Sequence, residues 1–154
     1  MRPRLLYFGS MHAAVPLRVS AWTLFAMGVA HTLGHIAGLK DFRAPSDEKT
    51  RVLVTAMNGY MVGSEPAIRS MTSLYLGFSL FLAATSMIIA ALVLVAAKSC
   101  YNDSVSLRRV TRIYLGGLLI LSAISVNYFI WPPTIFLLSA FGFAARAMAL
   151  LRKA

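Results

Sequence analysis

Charge is scarce in this sequence, and negative charge scarcest: 13% of its 154 residues are charged, with five Asp or Glu against fifteen Lys or Arg. So few charged groups exclude a disordered tail and a long solvated coiled coil. A single cysteine, Cys100, excludes an intrachain disulfide scaffold. No Gly-rich phosphate loop and no G-x-S-x-G elbow is present, and the metalloprotease pattern fails because Thr32, not Glu, follows His31. What is abundant is apolar surface, at 58% hydrophobic residues and a mean hydropathy of +0.71. Such a chain belongs in a bilayer.

A membrane helix needs about 20 mostly apolar residues, and four runs of that kind are expected, over about 20–39, 70–97, 113–129 and 134–147. Together they predict one all-α transmembrane domain over 1–154, a four-helix bundle integral to the membrane. Pro132 and Pro133 fall between the third and fourth runs, so these spans form an antiparallel hairpin, with the prolines breaking the helix and Trp131 suited to the interface. Ahead of the first run, Arg2 and Arg4 precede a short apolar stretch that His12 and Pro16 interrupt. No small-residue cleavage pattern follows, so this stretch reads as an amphipathic segment at the membrane surface rather than a signal peptide.

Four spans put the amino terminus, the second loop and the carboxyl terminus on one side. That side collects ten cations against Asp103 alone, a net +9, whereas the other holds five cations against four acids, a net +1. Lys and Arg accumulate on the cytoplasmic side, so both termini are expected there. The basic residues flank spans and build no base-reading motif, so nucleic acid is not an expected partner. The cluster Arg108, Arg109 and Arg112 is suited to orienting the chain and touching anionic headgroups, and Cys100 reads as a free juxtamembrane thiol.

The outer loop, 40–69, is too long for a simple connection. Pro45 and Ser46 precede Asp47 and Glu48, and Val52, Leu53, Ala56, Met57 and Tyr60 recur at helical spacing, which predicts a short interfacial helix that anchors the loop or lies as a lid over a site. Gly63 and Ser64 mark a break. Glu65 and Arg69, four apart, are placed to pair on one helical face.

The sharpest local signal is His31-Thr32-Leu33-Gly34-His35 within the first span. Histidines four apart share one helical face, and ionisable groups inside a span are costly enough to point to function. Gly34 and Gly38 form a GxxxG pair that admits a close helix or a flat ligand. Both histidines fall in the outer half, where the second span brings Glu65, Arg69, Tyr75 and Ser79, and the third brings Ser122, Ser125, Asn127 and Tyr128. A polar pocket walled by Phe78, Phe129 and Trp131 is expected. Its acid–base candidates are His31, His35 and Glu65, with Arg69, Tyr75, Ser79, Asn127, Tyr128 and Trp131 around a ligand. The alternative for most of these side chains is mutual hydrogen bonding between helices. No metal site is predicted, because a third zinc ligand is wanting. Bis-histidine haem lacks a ligand from another helix, His12 lying ahead of the first span on the cytoplasmic side.

The motif His31 to His35, the segments Arg69-Ser70 and Leu74-Tyr75-Leu76-Gly77-Phe78, and the run Phe129-Ile130-Trp131-Pro132-Pro133 together resemble a group of small bacterial four-helix membrane proteins. These share a His-x-x-Gly-His first helix, an Arg-Ser and Tyr-x-Gly-Phe second helix and a Pro-Pro hairpin. The resemblance runs from about Ala30 onward. It implies the four-helix architecture and a bacterial cytoplasmic membrane location, and names no reaction and no cofactor. The expected function is binding of a lipophilic small molecule at the histidine pair, with acid–base chemistry open. The alternatives are an accessory subunit of a larger membrane complex or homo-oligomer, and a haem or metal carrier.

Overall fold

A computed structural model describes residues 4–128 and 131–153, with side chains described for 12–40, 43–127 and 131–152. The described chain is all-α apart from one minimal hairpin: α1 (Arg4–Arg43), α2 (Glu48–Gly59), β1 (Met61–Val62), β2 (Arg69–Ser70), α3 (Met71–Ser99), α4 (Ser104–Tyr128) and α5 (Trp131–Lys153). Four stretches are long and apolar enough to cross a membrane, His12–Lys40, Met71–Ser99, Ser104–Asn127 and Trp131–Arg152, which makes this a multi-pass membrane protein.

Three boundaries depart from the sequence expectation. First, α1 runs unbroken through Pro16. A proline removes one intrahelical hydrogen bond, but here Ala13, Ala14 and Leu17 around it are at most 1% exposed, and this packing holds the helix together. Second, α4 starts at Ser104, because Asp103 Oδ1 accepts the amides of Val105 at 3.0 Å and Ser106 at 3.1 Å and caps its first turn. Arg108, Arg109 and Arg112 therefore sit on the helix. Third, Pro132 and Pro133 open α5 rather than break a connection, as expected of residues whose missing amides would have no partner in a first turn. Phe129 and Ile130 lie outside the described residues.

The interfacial helix of the outer loop is α2. Its N-cap is Asp47, which accepts Thr50 N at 2.9 Å and the Thr50 hydroxyl at 2.6 Å. These two bonds hold the Asp47 carboxyl below the usual carboxylate range. Val54 is the buried residue of α2, whereas Val52, Leu53 and Tyr60 of the expected apolar stripe are 55–62% exposed. After α2 the chain forms a hairpin that hydropathy did not reveal, with Met61 opposite Ser70 and Val62 opposite Arg69. Gly63 makes its turn at φ +105, where a Cβ would also lie 2.8 Å from the Ala67 carbonyl oxygen.

The chain divides into two compact units, Met1–Met27 with Ser86–Ala154, and Gly28–Thr85. The first contains the apolar core. Ala13, Ala21, Ala90, Ala97, Ala140, Ala144 and Ala147, each 0% exposed, lie on α1, α3 and α5, and the buried Leu17, Leu24, Leu107, Leu118, Leu137 and Leu151 complete this core with α4. One polar cluster crosses this core. Ser20 of α1 donates to the Ala140 carbonyl of α5 at 2.6 Å, and its Oγ lies 3.2 Å from the Tyr114 hydroxyl of α4. At the start of α5 the Ser125 and Thr134 hydroxyls hydrogen-bond at 2.8 Å and tie it to α4. An Arg108 guanidinium nitrogen donates to the Leu151 carbonyl.

Candidate functional site

The second unit joins the carboxyl-terminal part of α1 and the amino-terminal part of α3 to α2 and the hairpin. His31 and His35 lie one helical turn apart on α1, and Tyr75 and Ser79 one turn apart on α3, so each helix presents a stripe of two polar side chains. The stripes meet at Ser79. Its hydroxyl lies 2.8 Å from His31 Nε2 and 3.1 Å from His35 Nδ1, bridging the two rings. The Tyr75 ring stands beside His35, centroids 6.0 Å apart and planes at 43°.

A hydroxyl has one proton. Ser79 therefore donates to one imidazole and accepts from the other, and the tautomers of the two rings are linked. If Ser79 donates to His31 Nε2, His35 carries its proton on Nδ1 and presents a bare Nε2. If it donates to His35 Nδ1, His31 carries its proton on Nε2, and His35 Nε2 bears an N–H. Either way, His35 Nε2 is buried and has no hydrogen-bond partner among the described residues. Thr72 Oγ1, further toward the start of α3, is buried and unpartnered as well. Buried polar atoms are nearly always paired; the other two unpartnered ones among the described residues, Arg108 Nε and Ser122 Oγ, belong to the first unit.

The other expected site residues are placed differently. Glu65 is exposed in the hairpin loop and makes no hydrogen bond or ion pair among the described residues. The expected Glu65–Arg69 helical pair does not form, because Arg69 lies in β2 and donates to the Ile68 carbonyl at 2.7 Å. Of the expected aromatic wall, Phe78 in the second unit is 71% and Trp131 in the first unit 78% exposed, and Phe129 lies outside the described residues. Asn127, Tyr128 and Trp131 belong to the first unit. Asn127 is exposed and donates to the Ala123 carbonyl of its own helix at 2.8 Å, while the Tyr128 side chain lies outside the described residues. A Cβ built on Gly34 or Gly38 meets nothing within 4 Å, so no helix packs closely on that GxxxG face in the described chain.

Sequence reasoning picked both histidines, Tyr75 and Ser79, but gave Ser79 a peripheral place and passed over Thr72. Thr72, Tyr75 and Ser79 recur at three and four residues along α3, a spacing that was available in the sequence as a signal. Among the described residues no three His, Cys, Asp or Glu side chains come together to hold a metal ion. No family model, no curated protein and no solved structure matches the chain.

Proposed function

We propose that this is a bacterial cytoplasmic-membrane protein of the His-x-x-Gly-His group, with both termini in the cytoplasm, and that its second unit binds a lipophilic small molecule at the histidine pair. The observation that carries this reading is the Ser79 bridge, which fixes both imidazoles while leaving His35 Nε2 buried and unpaired. A span offers no water to satisfy such an atom, and a polar residue inside it is functional by default. A molecule with an apolar body and a hydroxyl or carbonyl head matches this environment, the head hydrogen-bonding to His35 Nε2.

The same bridge supplies a route for a proton. A ligand hydroxyl gives its proton to a bare His35 Nε2; His35 Nδ1 passes its proton to the Ser79 oxygen, and the Ser79 proton moves to His31 Nε2. His35 ends neutral with its tautomer exchanged, and His31 ends as the imidazolium. Imidazole is the side chain suited to this near neutral pH. At about 1.5 Å per residue, His35 lies roughly 7–8 Å and His31 roughly 13–14 Å from the Lys40 end of their span. The route therefore leads inward from the outer side. His35 Nε2 has almost no accessible surface, so ligand entry requires neighbouring side chains to move aside.

Purified protein, its bound lipophiles extracted and identified by mass spectrometry, tests the reading. The expected result is a lipophile that co-purifies with the native chain and is lost from His31→Leu/His35→Leu. Retention of the same molecule by the folded double variant would sink the proposal.

A further inference from the structure

The first unit contains a cavity of about 410 Å³ that has no part in the histidine site. His12, Val15, Pro16 and Val19 form its α1 wall, and Phe143, Arg146 and Leu150 its α5 wall. On each helix these residues recur at three and four positions, so one stripe faces the other. The chain does not close the space: Val15 is 61%, Val19 39% and Phe143 37% exposed.

Arg146 is the chemical key to this groove. It lies near the carboxyl-terminal end of its span and is exposed, and it has no ion pair or hydrogen bond among the described residues. An unpaired guanidinium at the end of a span attracts an anionic headgroup. No acid among the described residues of its own unit pairs with it. Of the five acids, only Asp103 belongs to the first unit, and its carboxylate caps α4 through Val105 and Ser106. The groove therefore suits a counter-anion supplied from outside this unit. Among the residues lining the groove, Pro16 has no N–H, so the His12 carbonyl lacks its helical donor and is a free acceptor.

We propose that this groove binds one anionic phospholipid, its phosphate on Arg146 and an acyl chain along Val15, Val19 and Phe143. A hydroxylated headgroup, as in phosphatidylglycerol, donates to the His12 carbonyl. The guanidinium selects the phosphate by bidentate hydrogen bonding, and the apolar walls select an amphiphile over a free ion. The occupant is thus set by charge complementarity and by the groove's level at the end of two spans.

The test uses the full chain in nanodiscs of equal phosphatidylglycerol and phosphatidylcholine, released for native mass spectrometry. One retained phosphatidylglycerol per chain is expected, with retention at least tenfold lower in Arg146→Gln and unchanged in Arg152→Gln. Val15→Trp keeps the charge but fills the groove, and it too should expel the lipid. Both variants are checked for helicity first. Equal retention of phosphatidylcholine, displacement by millimolar inorganic phosphate, a second copy of the chain in place of the lipid, or full retention by folded Arg146→Gln would each overturn the proposal. None of these readings depends on the histidine pair, so this inference and the proposed function stand or fall separately.

Discussion

The two units of this chain are held together by different chemistry. The first is close-packed, with seven fully buried alanines and six buried leucines, and buried hydroxyls such as Ser20 and Ser125 among them. In the second, Val54 and Ala83 are the buried hydrophobic residues among those described, and the contact between α1 and α3 is a serine between two histidines. In lipid, helices gain little from hiding apolar surface and must rely on fit and on hydrogen bonds. The first unit combines fit with hydrogen bonds between helices. The second has little buried apolar surface and relies on hydrogen bonds, and each unit leaves two buried polar atoms unpaired.

The widest separation between the units should appear on deleting a leucine from each. Leu118 is 1% exposed in the first unit and Leu33 62% exposed in the second. Leu118→Ala leaves a cavity and should cost about 2–5 kcal/mol, whereas Leu33→Ala should stay within about 0.5 kcal/mol. Unfolding in mixed micelles, followed by circular dichroism, measures both. Equal losses would mean that the second unit has a packed core after all.

Removing the hydroxyl at the centre of each unit probes the polar side of the contrast. Ser20→Ala breaks the bond to the Ala140 carbonyl, and Ser79→Ala breaks the bridge between the histidines. Each should cost about 0.6 kcal/mol and no more than about 1.7, the range for polar contacts between membrane helices. The second readout separates them. Imidazole nitrogen shifts by NMR should change in Ser79→Ala, because the two tautomers are no longer linked, and should not change in Ser20→Ala. Unaltered imidazole signals in Ser79→Ala would break the proton route.

What the sequence disclosed follows the same division. The four spans were legible from hydropathy alone, because a bilayer demands length and apolarity of each helix separately. The histidine pair was legible because both members lie on one helix at fixed spacing. Of the partners expected from elsewhere in the chain, Tyr75 and Ser79 do meet the pair, whereas Glu65 does not. Glu65 was expected beside the histidines because it is the one acid near that level, yet a positive-φ glycine at 63 and a two-residue ladder place it in an exposed loop. The hairpin itself is too short to produce an alternating pattern. Helix ends were misjudged where an apolar count outweighed local chemistry: Asp103 starts α4 ahead of its basic cluster, and the two prolines start α5.

A smaller effect, shared by the two units, is set by pH. Hydrogen bonds from Thr50 hold the Asp47 carboxyl below its usual range. A carboxyl lowered in the folded state contributes stability above its unfolded pKa of about 3.9, and that contribution disappears as pH falls through the lowered folded value. Protection of the Thr50 amide against hydrogen exchange should therefore fall on strong acidification in the native chain. In Asp47→Asn, where the cap has no carboxyl to protonate, it should stay level. The first-unit cap at Asp103 should behave alike, since its carboxyl is lowered by Ser106 and Val105 bonds, so the contrast between units should vanish in this one respect.

A last test asks whether the open face of the second unit is open in the membrane. Gly34 and Gly38 offer the small-residue spacing by which membrane helices approach one another, yet nothing in the described chain lies within 4 Å of a Cβ built on either. In the first unit the same role is filled, because Ala140 and Ala144 are fully buried. If the chain acts alone, Gly34→Ala adds a methyl to empty space and removes a helix-interior glycine. Stability should then rise by up to about 1 kcal/mol, the usual difference between Ala and Gly within a helix. If instead two copies meet along the glycine face, the same methyl obstructs close backbone approach, and cross-linking between copies should weaken while monomer stability still rises. Measuring both quantities on one variant separates a ligand-facing surface from a subunit contact.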